Sequence, residues 1–216
     1  KSSLVERKVT KVLTPGTVIE EDLLDADRSS YLVSLYESRE SNKWGLCYAD
    51  VSTGIVRSVE GESTEQLRSE LERLAPAELL VPATSDRDTY AYDSKQSNDL
   101  LCLDGRNRRL YGSLCFAPTS SFSSSSNVTS RFLKDYYGLA SLEGVGLSSR
   151  PLAMCATAAL IRYVKHTRPE TSSALQLPRT YDVNDCMNID EDTWRNLEIS
   201  HTARTGSTQG SLLRAI

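Results

Sequence analysis

The sequence is short of the residues that most catalytic and metal chemistry needs. Only two histidines occur, His166 and His201, both near the ends of expected helices and far from any cysteine pair. His166 reads most simply as a cation at a helix C-terminus, where the macrodipole favours it. The five cysteines (Cys47, Cys102, Cys115, Cys155, Cys186) are odd in number, scattered and without a C-x-x-C pair. That argues against a disulfide frame or a zinc site and fits reduced thiols in a cytoplasmic protein. On the same ground the sequon Asn127-Val128-Thr129 is a chance match. No run approaches ~18 consecutive apolar residues, so no membrane-spanning helix is expected. No G-x-x-x-x-G-K-[ST], G-x-G-x-x-G or G-x-S-x-G pattern is present, so nothing here cradles a triphosphate or dinucleotide, or presents a serine nucleophile. Positive charge is not in excess either: 25 Lys and Arg face 29 Asp and Glu, a net charge of −4. A duplex-DNA binder usually carries a basic stripe that displaces counterions from phosphates. The densest basic cluster, Arg106, Arg108 and Arg109, is short and reads as a solvated loop.

What is present suits a globular chain. A length of 216 residues with 39% hydrophobic and 25% charged residues is enough for one full domain plus part of another. Val5–Leu13 reads as a strand ending at the turn signal Thr14-Pro15-Gly16, and Tyr31–Tyr36 as a second. Lys43–Val51 and Ile55–Val59, joined across Ser52-Thr53-Gly54, read as a hairpin. Ser63 and Gln66 stand at capping-box spacing before a helix whose apolar face is Leu67, Leu71 and Leu74 and which stops before Pro76. Glu78–Pro82 is short and apolar, as a strand buried on both faces should be. This order predicts an α/β fold and resembles the ribonuclease H-like arrangement of a mixed sheet flanked by helices, which puts Leu79–Val81 beside the hairpin.

From Ala83 the pattern dissolves into polar residues and turns, then the serine-rich run Ser120–Ser126, so 83–126 is expected to be a disordered insertion. A helix is expected over Ser130–Tyr137, closed by Gly138, and a glycine-containing loop over Leu142–Leu147. Another helix starts at Pro151, buries Leu152, Cys155, Ala156, Ala159, Leu160 and Tyr163, and ends near Thr167-Arg168-Pro169. Glu170–Pro178 reads as a linker and Arg179–Val183 as an extended segment. Asp190 is expected to cap a last helix carrying Trp194, Leu197 and His201 on one face, with Trp194 more exposed here than in a longer protein.

One carboxylate invites a catalytic reading. Asp50, at the end of a hairpin strand, stands where ribonuclease H-like nucleases begin a two-metal site. Such a site also needs carboxylates from the next helix and a later strand. Glu65, Glu70 and Glu72 lie off the leucine face and are expected to meet solvent, and Glu78 stands at its strand's start. A turn aspartate capping backbone amides is the favoured reading, and a divergent metal-dependent nuclease the alternative.

Two stretches carry a family resemblance. Met187–Ile199, with Asp190, Thr193, Arg195, Asn196, Leu197 and Glu198 in order, followed by Gly210-Ser211-Leu212-Leu213, resembles the start of the lever region of MutS-type DNA mismatch-repair proteins. Arg7–Thr17, with Thr14-Pro15-Gly16-Thr17, resembles the lead-in to that family's connector domain, which has a ribonuclease H-like fold. The resemblance implies a connector domain over 1–168, then a linker and the start of the α-helical lever region over 169–216. It also implies an internal piece of a larger protein, without a mismatch reader before it or an ATPase after it. No enzymatic centre and no cofactor is implied for this region, whereas the parent would bind mismatched duplex DNA through other domains, bind ATP and Mg, and act as a dimer. The connector would couple mismatch recognition to the ATPase and offer a docking surface for a MutL-type protein. That surface maps by position to Ser130–Tyr137, where Phe132 and Tyr136 stand four apart on one helical face and could anchor a partner. Against this, the two rings could pack on the sheet instead, leaving Arg131, Lys134 and Asp135 as the solvent face.

Overall fold

A computed structural model describes residues 12–18, 30–38, 41, 43–83, 89–92, 111–123, 125–183, 191–199 and 201–215. The hairpin is built first from local chemistry. β1 (Tyr31–Glu37) and β2 (Trp44–Asp50) pair antiparallel from Tyr31↔Asp50 to Glu37↔Trp44. β3 (Ile55–Gly61) pairs back onto β2 across a turn in which Gly54 holds φ +74° and its N–H donates to Asp50 O at 2.8 Å. That left-handed conformation suits glycine.

α1 (Thr64–Leu74) follows immediately. The Ser63 side chain accepts from Gln66 N, while the Gln66 side chain reaches back to the N–H of Glu62 rather than of Ser63. Ala75 ends the helix in the left-handed region at φ 42°, one residue before Pro76. β4 (Glu78–Pro82) then lies parallel to β1, with Leu32↔Glu78 in register. This is the crossover that the sequence order predicts.

Among the described residues seven strands run β5-β6-β4-β1-β2-β3-β7, where β5 is Ala91–Tyr92, β6 is Ser113–Ala117 and β7 is Arg179–Thr180. The run β3-β2-β1-β4-β6 is the ribonuclease H-like arrangement, an antiparallel hairpin flanked by parallel strands. Here one expectation is corrected. β6 lies within 83–126 yet pairs parallel with all of β4, from Glu78↔Ser113 to Pro82↔Ala117, and its Leu114–Ala117 are buried. A four-residue apolar run, Leu114–Ala117, before Pro118 is weak evidence locally; pairing with β4, some 35 residues away in the register, decides it. Residues 84–88, 93–110 and 124 of that segment lie outside the described ones, as does most of the expected strand Val5–Leu13.

The pleat sorts side chains between two layers. Val33, Leu35, Trp44, Leu46, Leu79 and Val81 face α1 and its three leucines. Leu32, Cys47, Ala49, Val56, Leu80 and Cys115 face α3 (Pro151–Thr167). α3 is buried almost all round rather than along one stripe, because α2 (Ser126–Tyr137), the 3₁₀ turn Thr119–Phe122 and the loop 139–147 cover its far side. α2 begins four residues earlier than expected, inside the serine-rich run, and ends at Gly138 with φ 66°. The first turn of α3 is capped from the sheet: Glu60 on β3 accepts from Leu152 N and Ala153 N at 3.0 and 3.1 Å, favourable at a helix N-terminus.

Residues after α3 stay on the domain. Gln176 N donates to Gly54 O at 2.8 Å, and β7 adds a parallel edge beside β3. Asp190 and the side chain of Trp194 lie outside the described residues. α4 (Glu191–Asn196) ends before Leu197 and His201, which were expected on its face. Glu198, at φ 49°, begins a reversal that ties α5 (Leu212–Ala215) back through Leu212 N to Glu198 O at 2.9 Å.

Burial also sets how the fold responds to alkali. The Cys47 thiol is pushed up from 9.0 to about 11 by burial, partly offset by hydrogen bonds from Ser58 and Thr157. Burial likewise holds the hydroxyls of Tyr163, Tyr181 and Tyr137 well above the usual tyrosine value. The folded chain therefore keeps protons that the unfolded chain releases, so this stability is complete below about pH 9 and is lost as pH rises toward 11. Cys47 alone should remove about 2 kcal/mol by pH 11. Urea unfolding at neutral and alkaline pH should show a falling midpoint; a flat profile to pH 11 would contradict the burial of these groups.

Candidate docking surface on α2 and α3

α2 packs mainly on α3, and this decides where its side chains go. Thr129 and Leu133 are its buried residues. Arg131 and Asp135 sit on the open side, with side chains 84% and 74% exposed and 3.8 Å apart. Phe132 and Tyr136 occupy the flank between, half-buried, with ring centroids 6.3 Å apart and planes 22° apart. The two aromatics are thus neither bare anchors nor sheet-packed core.

What they meet is a pair of cations on α3. The Arg162 guanidinium lies over the Phe132 ring at 4.2 Å and donates to Ser121 O at 2.6 Å. Lys165 Nζ stands 5.9 Å from the Phe132 centroid and 5.8 Å from that of Tyr136. Contacts of this kind contribute about 0.5–2 kcal/mol each, more as they are desolvated. Burial, which disfavours the charged form, lowers the pKa of Arg162 from its ordinary value and raises that of Tyr136. The Tyr136 hydroxyl donates to Ser172 O, which ties α2 to the segment following α3. Two neighbouring rings, two cations and a tethered hydroxyl make a shaped, half-polar shelf, the composition in which aromatic and arginine anchors are enriched at interfaces.

Arg162 and Lys165 were not among the sequence candidates. Their signal was faint: two cations three apart on a largely apolar helix, hence on one face.

The carboxylates weighed for metal chemistry are dispersed. Asp50 Oδ1 accepts from Ser52 N at 2.9 Å, Ser52 Oγ at 2.6 Å and Thr53 N at 3.3 Å, the turn-capping role favoured from sequence. Asp50 shares its face of the sheet with Leu46 and Tyr48, whereas Glu78 shares the opposite face with Leu80. Glu70 does not meet solvent as expected. It is buried, bonded to Arg73 at 2.6 Å and to the Tyr181 hydroxyl at 2.6 Å, because the segment after α3 returns over α1. Among the described residues no group of three His, Cys, Asp or Glu side chains could hold a metal ion, and no helix is long and apolar enough to cross a membrane.

Comparison with known proteins gives a consistent family signal. The profile described as MutS domain II matches residues 30–178. The chain is 39% identical over 215 residues to the DNA mismatch repair protein MutS of Trichormus variabilis, covering 99% of this chain and 24% of that protein. It is 39% identical over 212 residues to the MutS of Nostoc punctiforme, covering 97% and 23%, and 37% identical over 213 residues to that of Synechococcus elongatus, covering 99% and 24%. The chain thus spans about a quarter of the length of these relatives.

Proposed function

Because the chain belongs to the MutS domain II family, we propose that it is the connector region of a DNA mismatch-repair protein, over 1–168, with the start of the lever region over 169–216. It works without chemistry of its own. The parent protein binds mismatched DNA through other domains, binds ATP with Mg and is dimeric and cytoplasmic. The connector couples the reading of a mismatch to the nucleotide site and offers α2 as a docking surface for a MutL-type protein. Coupling of this kind requires that both ligands bias one equilibrium between states.

The observation that supports docking is the shelf of Phe132 and Tyr136 with Arg162 and Lys165. Its residues lie on the two packed helices α2 and α3, with both rings half-buried. The test is binding of the 216-residue chain to purified MutL, with Phe132→Ala/Tyr136→Ala as the paired variant. Micromolar affinity is expected for the wild type, and a loss of about tenfold or more in the variant, as for truncated anchors. The variant must keep a cooperative thermal transition. Binding that survives in a folded variant would move the surface elsewhere, and no binding by the wild type would leave a passive connector.

A further inference from the structure

The lead-in turn Thr14–Thr17 is not a loose tether. It sits on a buried carboxylate. Glu78, at the first position of β4, is fully buried. Its Oε2 accepts from Thr14 Oγ1 at 2.6 Å and from Gly16 N at 2.9 Å, and its Oε1 accepts from the Tyr163 hydroxyl of α3. Gly16 fits only because it has no side chain, since a Cβ there would stand 2.8 Å from Glu78 Cβ. Two further bonds close the joint: Val12 N to Thr167 O at 3.0 Å, at the last turn of α3, and Ser30 Oγ to Pro15 O at 2.9 Å.

A carboxylate buried this deeply costs several kcal/mol of desolvation unless it is well bonded. A purely apolar residue would fill the same place in the sheet without that cost. What Glu78 adds is an acceptor for three donors on two separate segments. We propose that Glu78 is a latch, and that it fastens the incoming chain to the C-terminal end of α3. A displacement arriving at Val12 is then passed to α3, which carries Arg162 and Lys165 at its outer face. Buried polar clusters of this kind act as units, so the turn is either seated on Glu78 or released. The latch does not depend on any partner docking at α2.

Amide hydrogen exchange on the whole 216-residue chain tests it, comparing wild type with Glu78→Gln and with Thr14→Val. Glu78→Gln keeps the shape but weakens acceptance toward the turn; Thr14→Val removes one donor and leaves the carboxylate. The latch predicts that exchange at Gly16 and Val12 accelerates about tenfold or more relative to Leu46 and Val33, which report the sheet. Local release is thereby separated from global destabilisation. Should Glu78→Gln fail to fold, Thr14→Val carries the test. Equal acceleration at the turn and in the sheet would make Glu78 a plain core residue and overturn the latch. Unchanged protection at Gly16 would overturn it as well.

Discussion

Replacing Gly45 by alanine is expected to destabilise the fold by about 3 kcal/mol or more, at the upper end of what overpacking costs. In most strands the same change would be mildly favourable, because alanine restricts the unfolded chain, by about 0.4–1 kcal/mol. Here the steric term reverses the sign. A Cβ on Gly45 would stand 2.1 Å from the carbonyl carbon of Leu152 and 2.2 Å from Ala153 N. Both are backbone atoms of the first turn of α3, so no side chain can rotate away. The helix must lift off β2, and lifting would also pull Leu152 N and Ala153 N from Glu60. Gly144, with nothing within 4 Å of a built Cβ, provides the control, and Gly144→Ala should change stability by less than about 0.5 kcal/mol. Urea denaturation of the two variants reads this directly. A Gly45→Ala protein as stable as Gly144→Ala would mean that α3 does not rest on β2 as described.

Trp44→Ala is the second large effect, expected at about 3–5 kcal/mol. Trp44 is adjacent to Gly45 and points the other way, so one dipeptide sets the spacing of both layers. The indole is 2% exposed, and its Nε1 donates to Ser63 O at 2.8 Å, tying the strand to the N-cap of α1. Its ring fills the space over Gly61, where a Cβ would come within 2.2 Å of Trp44 Cζ2. The pair should therefore be strongly coupled. Gly61→Ala should be costly in the wild type and nearly neutral once Trp44 is alanine. A double-mutant cycle with additive costs would sink this account of the contact. Trp44→Phe should keep most of the packing and lose the hydrogen bond, about 1 kcal/mol.

These residues also show what could be read from the chain and what could not. The hairpin, α1 and β4 were legible because their signals are local: Gly54 in its turn, Ser63 at a helix start, the 67/71/74 leucine face, Pro76 beyond a helix end. The family was legible in the same way, from Thr14–Thr17 and the segment after Met187. β6 was not, because a four-residue apolar run gains its meaning from a parallel partner distant in sequence. Glu70 was expected to meet solvent, and Glu78 was weighed only as a metal carboxylate at the start of a buried strand, since their hydrogen-bond partners come from the lead-in turn, α3 and the segment following it. Phe132 and Tyr136 were placed on the right helix, but whether they meet the sheet, solvent or cations depends on which element α2 packs against.

Turn residues, caps and periodicity act over a few positions of chain, and so the class of fold, the order of most of its elements and the family were all legible from local signals. Long-range packing set the rest: that α3 is wrapped rather than half-exposed, that Gly45 and Gly61 are contact points between layers, and that Arg162 and Lys165 face two aromatic rings. It also decided that a carboxylate at a strand's first position fastens a turn 62 residues away from it. Each of these depends on atoms brought together by packing, and backbone spacing along one segment carries no record of them.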